Sequence, residues 1–107
     1  MVLGTLLNDH GDYYSSCKGS LCREMFQDKR NAFVFGLIED MHNDGMSDTF
    51  PIDVFNYANE KEVKYGNMNN FCVFLCEVAM DNAYEDFKKY VRELVRFYLK
   101  DIKHGTR

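Results

Sequence analysis

Four cysteines stand in two close pairs, Cys17 with Cys22 and Cys72 with Cys76. Four thiolates so arranged are what a tetrahedral zinc ion uses. The surroundings of the second pair argue for packing instead. Cys72 and Cys76 lie four apart among Phe71, Val73, Phe74 and Leu75, where cysteine behaves as a small hydrophobe, whereas zinc knuckles set their pairs on tight turns. A Cys17–Cys22 disulfide is sterically open, since Lys18-Gly19-Ser20 can turn the chain. No secretory signal accompanies it: Met1 to Leu7 has no basic start and runs straight into Asn8-Asp9-His10, too soon for a signal peptide. The expectation is a cytoplasmic protein with reduced thiols, no metal and no other cofactor, and a thiol-liganded zinc protein is the second alternative.

Asp40 to Asp48, with Gly45 at its turn, is similar to a calcium loop between helices. It departs from the EF-hand pattern at the third position, which is His42, and at the twelfth, where Pro51 replaces the bidentate Glu. A solvated acidic turn with a glycine helix stop is therefore expected. No nucleophile elbow and no phosphate-cradling glycine loop is present, and a cysteine nucleophile would need His10, His42 or His104 brought to it by folding. Adjacent carboxylates such as Glu39 and Asp40, or Glu85 and Asp86, point different ways on a helix and make no acid–base dyad. The chain is read as a non-enzyme.

Charge is the remaining chemistry. The formal net charge is −4, yet residues 88–107 hold seven basic and two acidic side chains, a net of +5, which leaves −9 on residues 1–87. Such polarity orients a partner. Lys88, Arg92, Arg96 and Lys100 recur every four residues along one edge of a helix, a spacing suited to phosphates or to an acidic protein. The acidic residues Glu39, Asp40, Asp44, Asp48, Asp53, Glu60 and Glu62 form a run that could imitate phosphate spacing on a nucleic-acid-binding partner.

The elements that must position these groups are helices. Phe87, Tyr90, Val91, Leu94, Val95, Tyr98, Leu99 and Ile102 follow the i, i+3, i+4, i+7 pattern, which predicts a helix over 82–104 capped by Asp81 and stopped at Gly105. Asn70 to Met80 is apolar at nearly every position, as a central helix buried on most sides would be. Ser20 can cap a helix over 21–43, as one piece or broken near Asp28, ending at Gly45. Thr49 precedes Phe50-Pro51 at the start of another, and Val2 to Leu7 suits a short first one. With 46% apolar residues, 28% charged and one proline in 107 residues, the chain reads as one all-α domain, a compact bundle or stacked helical hairpins of four to five helices. No apolar run is long enough to span a membrane.

Arg30 to Met46, the Cys72–Cys76 helix and the basic terminal helix together resemble the later hairpins of HEAT-type middle domains in translation-initiation scaffolds, over about 70 residues and through apolar spacing alone. The resemblance implies an RNA-associated helical adaptor using the basic terminal helix. The first expectation is different: a small intracellular regulator or inhibitor, of the virus- or phage-encoded kind, that occupies a surface of another macromolecule with its acidic face. Protein is the expected partner, nucleic acid the alternative, and no membrane is involved. Tyr13, Tyr14, Tyr57 and Tyr65 could form an exposed aromatic patch or equally rim the core. Phe97 lies off the main apolar stripe and needs cover from the first helix or from a second copy in a homodimer.

Overall fold

The computed structural model describes residues 2–63, 66–82 and 84–104, apart from the side chains of Met68 and of residues 101–104. The expectations placed on Tyr65, Gly105 and Arg107, and on the side chains of Asp101, Ile102, Lys103 and His104, lie outside the described residues. The described chain is all helical: α1 (Val2–Leu6), α2 (Asp12–Cys17), a 3₁₀ turn (Arg23–Met25), α3 (Lys29–Asn43), α4 (Pro51–Glu60), α5 (Met68–Ala79) and α6 (Phe87–His104). Its radius of gyration is 13.7 Å, close to the ~13 Å expected of a compact chain this long.

The short first helix is the centre of the molecule. Every residue of α1 is buried, and α1 packs against α2, α3, α5 and α6. A five-residue helix has no stability of its own in water, so tertiary contacts hold it. Gly4 lets it approach α5 closely, because a Cβ there would fall 2.1 Å from the Asp81 carbonyl oxygen and 2.5 Å from that of Val78. Asn8 ties the two helix ends together, its side-chain amide donating to the carbonyls of Gly4 at 2.9 Å and Ala79 at 2.8 Å. Buried Thr49 donates its hydroxyl to the Leu6 carbonyl at 2.6 Å. Buried Asp9 accepts the amides of Tyr13 at 3.1 Å and Tyr14 at 2.9 Å, satisfying the first turn of α2.

The remaining helices start and stop for local reasons. Asp28 accepts the Arg30 and Asn31 amides and starts α3, so the 21–43 segment is broken there, and Ser20 starts no α-helix. At its other end the Met46 amide reaches the Met41 carbonyl and the Gly45 amide that of His42, with Gly45 at φ 88°; this is a Schellman stop. The same bonds recur after α4, from Val63 to Ala58 and from Glu62 to Asn59, but the left-handed position is held by Glu62 at φ 56°. Pro51 occupies the first position of α4, and Asp53 reaches back to the Phe50 amide at 3.2 Å. Asn67 caps α5, its side chain accepting the Asn69 and Asn70 amides. Asp81 belongs to the turn that closes α5, its amide bonded to the Val78 carbonyl at 3.1 Å, and α6 begins at Phe87, where its apolar pattern begins and several residues later than a cap at Asp81 predicts.

One expectation about burial fails. The inner face of α5 is anchored by buried Phe71, edge-on to Phe33 at 5.8 Å, and by Leu75, while Arg30 covers Phe74 at 4.6 Å. Its outer face carries exposed Cys76 and Val73, the latter 55% exposed, and Met80 just beyond is 83% exposed. The most apolar helix is therefore peripheral. Tyr14 and Tyr57 are core residues, so of the two readings open for these tyrosines, an exposed patch or a place against the core, they take the second.

Candidate functional site

The helix α6 contacts only α1, α2 and the 3₁₀ turn among the described elements. Phe87 and Val91 anchor it, Phe87 edge-on to Tyr13 at 5.1 Å. Its neighbours are short, so much of its girth faces solvent. Lys88, Arg92, Arg96 and Lys100 are exposed, and none is in an ion pair among the described residues.

A groove of about 650 Å³ runs between α6 and the turn after α2, lined by Gly19, Ser20, Val91, Arg92, Val95, Arg96 and Leu99. A smaller hollow of about 190 Å³, which includes Cys17 and Lys88, shares Ser20, Val91 and Arg92 with it, so the two run into one another. The floor is aliphatic and the rim is cationic. Leu99 is 58% exposed in the middle of this basic sector. On the opposite flank of α6 a hollow of about 440 Å³ is lined by Leu94, Phe97 and Tyr98 with Glu24 and Asp28, and no lysine or arginine lines it. Phe97 is 71% exposed there, so α1 does not cover it.

The acidic run is placed quite differently. Arg23 lies over Gly36 and reaches Glu39 and Asp40, each at 3.4 Å. Asp44 accepts the Tyr57 hydroxyl at 2.7 Å, which with burial pushes that phenol up to about 12, and Lys61 stands 3.8 Å away. Asp48 pairs with His10 at 2.9 Å and raises the imidazole above its ordinary value. Asp53 is used in starting α4. Glu60 and Glu62 are exposed at the end of α4. Five of the seven carboxylates thus have partners within the chain. Asp40, Asp44 and Asp48 turn to three different groups, which disperses the calcium-like loop.

The cysteines are all free. Cys17 is buried, its thiol pushed up to about 11 mainly by burial, and donates to the Tyr14 carbonyl at 3.5 Å. Burial, then the Glu24 carboxylate, push Cys22 up as well. Cys72 is half-buried and Cys76 exposed, so core packing describes Cys17 and not the second pair. No group of three or more histidine, cysteine or acidic side chains gathers as a metal site among the described residues. His42 stacks on Tyr14 with centroids 4.0 Å apart and planes 5° apart; burial lowers its affinity for protons, and its Nε2 is buried without a hydrogen-bond partner.

Sequence reasoning found the cations of the groove and missed its far wall. In the sequence Ser20 reads as a helix cap and Gly19 as part of a turn between Cys17 and Cys22. The available signal was Leu99, an aliphatic residue inside a basic helical sector. No described helix is long and apolar enough to cross a membrane. The chain matches no protein-family model and has no significant similarity to any curated protein or solved structure.

Proposed function

We propose that the chain is a non-enzymatic regulator or inhibitor that occupies a surface of another macromolecule, and that its working face is the basic side of α6. One contrast carries this reading. Lys88, Arg92 and Arg96 rim an open groove with no ion pair among the described residues, whereas Glu39, Asp40, Asp44, Asp48 and Asp53 already have partners inside the chain. A charge that must first leave an internal partner gains less from an external one. Phosphate mimicry by the acidic run is accordingly the less supported use of the molecule.

The test is affinity capture from lysate with the intact chain, at graded salt. Capture should fall steeply between about 0.1 and 0.5 M salt, as long-range charge attraction is screened. Arg92→Glu with Arg96→Glu should lower it at least about tenfold, while Glu60→Gln with Glu62→Gln leaves it unchanged. Capture indifferent to the α6 reversal but lost on neutralising the acidic residues overturns the reading.

A further inference from the structure

The groove has three properties that bear on what fills it. First, its floor is the row Val91, Val95 and Leu99, four residues apart along α6, and the wall facing them is Gly19 and Ser20, without bulk. Second, its cations are confined to one long rim, Lys88, Arg92 and Arg96, at the same spacing. Third, between Lys88 and Leu99 it spans about 16 Å, three helical turns. The floor lines up with the rim.

These properties discriminate between anionic partners. A single-stranded nucleic acid is gripped by aromatic side chains that stack its bases, and the one aromatic lining the groove and the hollow joined to it, Phe87, is 2% exposed and offers no ring face. Phosphates alone would use the rim and leave Leu99 in water. An extended peptide adds to a free strand edge or, as a polyproline II segment, docks in an aromatic-lined groove; no strand occurs among the described residues, and no exposed aromatic lines this groove. An amphipathic helix satisfies both features at once, laying apolar residues at i, i+4 and i+7 on the aliphatic floor and carboxylates from its flank on the rim.

Building on the working face assigned above, we propose that the groove between α6 and the turn after α2 docks an acidic amphipathic helix of a partner protein. Charge complementarity selects the partner and the Val91–Val95–Leu99 row sets its register. The turn at Gly19 takes glycine for its left-handed backbone, and that leaves the wall there without a side chain. Gly19 has a φ of 89° and a Cβ there would meet nothing within 4 Å, so the space next to it is open to an incoming backbone.

Fluorescence anisotropy with labelled probes tests this. The probes are a synthetic helix of about 14 residues with leucines at i, i+4, i+7 and i+11 and glutamates on one flank, a scramble of identical composition, and a single-stranded RNA 12-mer. The helix should bind at least about tenfold more tightly than the scramble and more tightly than the RNA. Leu99→Ser should weaken helix binding about tenfold without altering the fold, since Leu99 is already 58% exposed. Arg92→Glu with Arg96→Glu should weaken it more. Equal binding of helix and scramble, or RNA binding that is tightest and indifferent to Leu99→Ser, overturns the inference while leaving the basic working face standing. The same holds if neither peptide binds yet lysate capture still depends on Arg92 and Arg96. Capture independent of both arginines overturns the working face and the inference together.

Discussion

The helices α1 and α5 are both rich in apolar residues, and they occupy opposite positions in the fold. The five residues of α1 are buried on every side, whereas α5, with twelve, buries Phe71 and Leu75 and leaves Val73 and Cys76 in solvent. Apolar content states how much burial an element would gain, but neighbours decide how much it receives. The glycine in α1 lets a helix on one side approach to backbone contact, and Asn8 and Thr49 satisfy the carbonyls that such burial would otherwise strand. The outer face of α5 has no such arrangement.

The comparison breaks most readily at Gly4. A methyl group there would overlap the carbonyl oxygens of Asp81 and Val78, and backbone cannot yield as a side chain can. Gly4→Ala should therefore destabilise the chain by about 3 kcal/mol or more, measured by urea unfolding, and an effect below about 1 kcal/mol would show that α1 is not wedged against α5. A smaller change of opposite sign is expected where the chain leaves α4 on its way to α5. Glu62 sits at φ 56° in a position that glycine takes without steric cost, so Glu62→Gly should stabilise by about 1 kcal/mol, a rise of about 4 °C in Tm for a domain of this size. The smallest effect sharpens the comparison from the other side. Val73→Ser on the exposed face of α5 should change stability by less than about 0.5 kcal/mol, and a loss of more than about 1 kcal/mol that depends on protein concentration would reveal a second copy covering that face.

A second contrast lies between the two charge regions. In sequence the acidic run and the basic stripe look equally available, because composition counts charges without their partners. Folding separates them: the guanidinium of Arg23, far from Glu39 and Asp40 in sequence, is laid across α3 over Gly36 and reaches both, and His10 is brought to Asp48. Among the described residues no carboxylate lines the groove beside α6, and none pairs with Lys88, Arg92 or Arg96.

The helical class, the terminal helix with its buried face, the glycine stop after α3 and the proline at the start of α4 were all legible in the chain, because each depends on residues within one or two turns of one another. Where a local signal competed with a distant one it misled. Asp81 has the chemistry of a cap, yet α6 starts where Phe87 meets Tyr13. Ser20 has it too, yet it ends up in the wall of the groove. Asp9 starts α2 from outside the helix, a role that no spacing rule marks.

What the amino-acid sequence determined by itself was local: which segments become helices, and which side of α6 is basic. Tertiary structure alone decided that a five-residue helix would lie at the centre, that α5 would be peripheral, that five of the seven carboxylates of the acidic run would find partners within the chain, and that the basic side of α6 would border a groove. The reason is range. Helix periodicity and capping act over a few residues and are written in order along the chain, whereas burial, ion pairing and groove shape depend on residues such as Gly4 and Asp81, or Ser20 and Val95, whose proximity exists only once the chain has folded.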